Sequence, residues 1–88
     1  MLSMPETYNI KNISEFADKS LLIVDDDNPF RERLYRAMEK KGFQVSQAES
    51  VKKGIESVKQ KKPAFAVVDL RLNDGNGLEV VKEIQSSH

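Results

Sequence analysis

Two short runs of consecutive apolar residues punctuate the chain, Leu21-Leu22-Ile23-Val24 and Ala64-Phe65-Ala66-Val67-Val68, and each ends in aspartate. Uninterrupted apolar runs of this length mark strands covered on both faces, as in parallel sheets. Between and after them the period changes. Phe30, Leu34, Ala37 and Met38 recur at helical spacing behind Asn28-Pro29, which predicts a helix with Asn28 as N-cap and Pro29 in its first turn. Gly42 stands where a C-terminal glycine cap belongs. Residues 43–48, Phe-Gln-Val-Ser-Gln-Ala, alternate apolar and polar, the pattern of a half-covered edge strand. Ser50 predicts the cap of a second helix with Val51, Ile55 and Val58 on one face, weakened by Gly54. Lys59, Lys61 and Lys62 gather at its C-terminal end, where cations suit the helix dipole, and Pro63 closes it. Asn73-Asp74-Gly75-Asn76-Gly77 reads as a turn-rich loop, and Leu78, Val81 and Ile84 mark a third helix. Strand and helix thus alternate three times, which predicts an α/β fold with a parallel sheet and right-handed crossovers. Residues 1–19 have no sustained period and are expected to form a flexible leader, with a short helical turn over Ile13 to Ala17 capped by Ser14. Residues 20–88 form the domain.

Composition narrows the function. The 88 residues hold 14 Lys+Arg and 14 Asp+Glu, a net charge of zero, which speaks against a dedicated nucleic-acid binder. There is no cysteine, and the single histidine is His88, so disulfides, thiolate chemistry and His-based metal sites or triads are excluded. No apolar run approaches the roughly 20 residues of a membrane span, and the first 20 residues lack the apolar stretch of a signal peptide. A cytoplasmic protein without a membrane partner is the expectation.

The candidate chemistry lies in the acids that end the two apolar strands, Asp25-Asp26 and Asp69. Ligands of open parallel α/β sheets bind beyond the carboxyl ends of the strands, where the strand order reverses. If the two strands are neighbours, three carboxylates converge and repel one another unless a cation neutralises them. Oxygen-only donors favour a hard divalent ion, foremost Mg²⁺. A metal there would screen an incoming phosphoryl group and let an aspartate attack phosphorus. Acids that follow a strand also serve simply as helix caps or loop solubilisers. Asp27 is assigned that plainer role beside a helix N-terminus. A calcium loop is excluded, because Pro29 and Phe30 stand where it needs a ligand and a glycine.

Leu-Leu-Ile-Val-Asp-Asp at 21–26, Val-Val-Asp at 67–69 and Gly77 resemble the receiver domains of two-component response regulators. The wording Asp-Lys-Ser-Leu-Leu-Ile-Val-Asp-Asp-Asp and Asp-Leu-Arg-Leu-Asn-Asp-Gly-Asn-Gly-Leu is similar to the redox-responsive RegA/PrrA/ActR group of bacterial transcription regulators. The resemblance implies a flavodoxin-like (CheY-like) doubly wound sheet of strand order 2-1-3-4-5, here truncated after the third β-α unit. It implies that Asp69 accepts a phosphoryl group from a sensor histidine kinase. It also implies that Asp26, Asp69 and the backbone carbonyl of Arg71 ligate Mg²⁺, with Asp25 completing the pocket mainly through water.

Two departures stand out. Receivers often carry proline four residues after the phosphoacceptor, and Asn73 in that place is expected to loosen the loop without touching the metal ligands. The family's later Ser/Thr and Lys find no counterpart within the 88 residues, and the group's helix-turn-helix domain, through which DNA would be bound, is expected to be absent. Two other readings stay open. One is a truncated receiver that pairs as an interaction module, even as a homodimer through the strand over Ala64 to Leu70. The other is a phosphatase-like fragment, whose Asp-x-Asp spacing Asp25 and Asp27 imitate.

Overall fold

The computed structural model describes residues 16–86. The elements follow the alternation of the sequence: β1 (Ser20–Val24), α1 (Asn28–Lys40), β2 (Gln44–Ala48), α2 (Val51–Gln60), β3 (Phe65–Val68), a two-rung hairpin of β4 (Arg71–Leu72) and β5 (Gly75–Asn76), and α3 (Leu78–Ser86). The three long strands are parallel in the order β2-β1-β3. This is the first part of the order expected for a flavodoxin-like sheet.

β1 lies centrally, and its five residues are all buried, as an unbroken apolar run requires. Its side chains alternate between two cores. Leu22 and Val24 join Val51, Val58, Val68 and Val80 beneath α2 and α3. Leu21 and Ile23 join Phe43, with Leu34, Tyr35 and Met38 of α1 packed against them. The sheet therefore carries α1 on one face and α2 with α3 on the other. Phe16 meets Phe65 edge-on at 5.3 Å on the α1 face, so the segment just before β1 covers part of β3.

Helix ends follow local chemistry, with one shift. The N-cap of α1 is Asp27, not Asn28: Asp27 has extended backbone, and its carboxylate accepts the Phe30 N–H at 3.1 Å. Gly42, with φ of 102°, ends the helix, and Gly42 and Phe43 donate back to the carbonyls of Glu39 and Met38 in a Schellman closure. Ser50 caps α2 through the Lys53 N–H, as expected. The innermost residue of α3 is Val80, fully buried, whereas Leu78 is 45% exposed. The expected turn over Ile13 to Ala17 lies outside the described residues up to position 15, and Phe16 and Ala17 carry no helix.

Candidate functional site

The parallel pairing sets Val24 opposite Val68, so β1 and β3 end at the same level and release Asp25 and Asp69 side by side. Two backbone bonds seal this end of the sheet. The Asp69 N–H donates to the Val24 carbonyl at 2.8 Å and the Asp25 N–H donates to the Ala48 carbonyl at 3.1 Å. One carboxylate oxygen from each of Asp25, Asp26 and Asp69 lies within 4.8 Å of the others. The three acids read from the sequence are brought together.

Each carboxylate is aimed by a main-chain donor. Asp25 Oδ1 accepts the Asp27 N–H at 2.9 Å, Asp26 Oδ2 the Asn73 N–H at 3.0 Å, and Asp69 Oδ1 the Arg71 N–H at 3.0 Å. The second of these corrects an expectation. Asn73 does not leave the acids alone, because its N–H holds Asp26, a bond that proline could not make. Asp25 is only 6% exposed. Burial pushes its carboxyl above the usual range, the Asp27 N–H opposes the rise, and the charges of Asp69, Asp26 and Asp27 add to it.

The donor set fits a hard divalent cation. It offers oxygen only, its charges crowd together, and no lysine or arginine forms an ion pair with them among the described residues. Arg71 is held beside Asp69 by its N–H, which places its main chain at the rim of the cluster.

Gly77 closes the site from below. A Cβ there would overlap the Asp69 carbonyl oxygen and lie 2.9 Å from Val68 Cγ1, so only glycine lets α3 start against the Asp69 backbone. Two residues near the site gave no functional signal in the sequence reading. Asp74, read there as a turn former, reaches across to accept the Val51 and Lys52 N–H groups at 2.8 and 3.1 Å, tying the hairpin to the start of α2. Those bonds hold its carboxyl below the usual range. Arg31 lies on the inward side of α1 and donates to the Asp25 carbonyl. Its helical spacing to Leu34 and Met38 was the available clue.

A profile of the response regulator receiver domain matches residues 21–88. The chain belongs to that family. Among related receivers, the photosynthetic apparatus regulatory protein RegA of Rhodobacter capsulatus is 59% identical over 69 residues, 78% of this chain and 38% of that protein. The acid tolerance regulatory protein ActR of Rhizobium meliloti (strain 1021) is 59% identical over 68 residues, 77% of this chain and 35% of that protein. The KDP operon transcriptional regulatory protein KdpE of Escherichia coli (strain K12) is 33% identical over 66 residues, 75% of this chain and 29% of that protein. The receiver sequence thus spans between 29% and 38% of the length of these relatives. The likeness to RegA and ActR read from the sequence is borne out, and with it the receiver-type α/β fold.

Proposed function

We propose that this receiver takes a phosphoryl group on Asp69 from a sensor histidine kinase, with Mg²⁺ held by Asp25, Asp26, Asp69 and the Arg71 carbonyl. The observation that carries the reading is the convergence of three main-chain-aimed carboxylates within 4.8 Å at the ends of adjacent parallel strands. In the transfer, a carboxylate oxygen of Asp69 attacks phosphorus, an O–P bond forms, the P–N bond to the kinase histidine breaks, and the imidazole nitrogen regains a proton. The cation, when bound, neutralises charge on the phosphoryl oxygens and the acids. The Arg71 N–H orients the attacking group through Asp69 Oδ1, and Asp25 and Asp26 supply the negative charge that retains the metal. The relatives named above as regulatory and transcriptional regulatory proteins support a role in gene control, and the cytoplasm is the compartment we propose for it. Among the described residues no helix is long and apolar enough to cross a membrane.

The test is Mg²⁺-dependent labelling by a kinase phosphohistidine or by acetyl phosphate, with the site located by mass spectrometry. The label is expected on Asp69, to require Mg²⁺ and to be lost in Asp69→Asn. A label that survives Asp69→Asn, or one carried by Asp25 and turned over rapidly as in a phosphatase, defeats the proposal.

A further inference from the structure

α1 carries one charged residue on its inward side. Arg31 is 8% exposed, on the same side of the helix as Leu34 and Met38, which pack against the sheet. A buried guanidinium is normally matched by a carboxylate, since removing its hydration is costly. Among the described residues Arg31 forms no ion pair. Its planar fork is instead divided between two neutral oxygens: Nε donates to Gln47 Oε1 of β2 at 2.7 Å, and one terminal nitrogen donates to the main-chain carbonyl of Asp25 at 2.8 Å.

The second bond lies where the acidic pocket is under most stress. Asp25 is the most buried of the three acids, and Asp26 follows it directly. Mutual repulsion with Asp69 pushes the turn between β1 and α1 away from the end of β3. The Asp25 N–H is fixed to Ala48 of β2, and the Asp25 carbonyl is fixed by Arg31, which is itself anchored to Gln47 of the same strand. Both main-chain polar groups of Asp25 are therefore held.

We propose that Arg31 is a positioning residue for the acidic pocket: it holds the Asp25 main chain, and with it the Asp25 and Asp26 carboxylates, at the separation from Asp69 that a divalent cation needs. The proposal rests on the metal-binding reading above. It assigns the arginine a role beyond bracing α1 on β2, and the two roles separate in measurement. A brace affects how much energy unfolds the chain. A positioning residue also affects how tightly the folded chain binds the ion, as partners beyond the direct ligands commonly do.

The experiment is a Mg²⁺ titration of the 88-residue chain by calorimetry, well below each variant's melting temperature, alongside a metal-free thermal melt. Arg31→Lys cannot reach both acceptors with one ammonium and is expected to bind Mg²⁺ about tenfold more weakly. Gln47→Ala keeps the arginine but removes one anchor, and is expected to weaken binding by a smaller factor. It also serves as the probe if Arg31 substitutions fail to fold. Variants that melt lower yet bind Mg²⁺ as the parent does would show Arg31 to be a brace only, and the proposal falls. A parent chain that binds no Mg²⁺, or an Asp26→Asn chain that binds it unchanged, removes the metal-binding reading itself and the proposal with it.

Discussion

At Gly77 the start of α3 passes so close to the Asp69 backbone that a single methyl group has no room. The obstacle is the Asp69 carbonyl oxygen, whose residue is tied to β1, and no flexible side chain can swing aside to relieve it. Gly77→Ala must therefore displace the end of β3. We expect it to cost about 3 kcal/mol in urea denaturation, the upper part of the overpacking range, and to abolish the Mg²⁺ response. Stability within ~0.5 kcal/mol of the parent would show that the backbone yields freely. Asp25 presents the opposite case, a residue whose charge works against the fold. Burial and three neighbouring acids disfavour its carboxylate form, while its Oδ1 still accepts the Asp27 N–H. Asp25→Asn keeps an acceptor of the same shape and removes the charge. In metal-free buffer at neutral pH it is expected to melt higher than the parent, and to gain less from Mg²⁺. A lower melting temperature without metal would mean that the acid is held by interactions stronger than its repulsion.

The elements were largely legible because their signals are local. The unbroken run of β1 stated that both faces are covered, and the alternation of β2 stated that it lies at an edge with one face half open. Gly54 shows what local signals miss. By helix propensity it is a weak point of α2, yet it is buried where α2 meets the rest of the core. A Cβ there would lie 3.0 Å from Val80 Cγ2 and 3.3 Å from Val24 Cγ2. Both valines are fully buried and cannot retreat. Gly54→Ala gains about 1 kcal/mol of helix propensity but overpacks the contact, so a net loss of roughly 1 kcal/mol is expected in chemical denaturation. A stabilised variant would mean that α2 shifts outward without loss. One misplaced helix cap shares this origin. Asp27 and Asn28 are equally good caps by residue type, and only the extended backbone at Asp27 decides between them. Leu78, Val81 and Ile84 mark α3 as expected, and Val81 and Ile84 pack against the core, while the innermost residue is Val80 and Leu78 stays exposed. Of the site, the three acids were readable because apolar strands delivered them. The donor of Asn73 and the cap by Asp74 were not, because they link residues far apart in sequence, and the grip of Arg31 was not, because its acceptor is a main-chain carbonyl that no residue type announces.

For the molecule as a whole, charges of one sign act in opposite directions on stability, and pH together with Mg²⁺ separates them. Asp18 accepts from Ser20 and Asp74 accepts from the first amides of α2, and both carboxyls are held below their ordinary value of 3.8. Groups of this kind stabilise the fold above that value, and the benefit disappears as pH falls through their lowered folded values. Asp25 has the reverse sign. Its folded value lies above 3.8, so between the two values the native chain binds more protons than the unfolded chain. The penalty of its charge is then fully present at neutral pH and relieved as pH drops toward 3.8. Metal-free stability should therefore rise as the solution is acidified from neutrality, pass a maximum, and fall below pH 3.8 as Asp18 and Asp74 take up protons. Mg²⁺ competes with protons for Asp25, so its stabilisation should be largest at neutral pH and shrink as the solution is acidified. At ten times its dissociation constant a ligand that binds only the folded state adds about 1.4 kcal/mol. In a domain of this size that is roughly 6–11 °C in melting temperature. Thermal melts by circular dichroism across this pH range, with chelator or with millimolar Mg²⁺, provide the check. A Mg²⁺ effect that persists unchanged into acid, or a metal-free profile that only declines from neutrality, would place the dominant charge effect outside the Asp25 cluster.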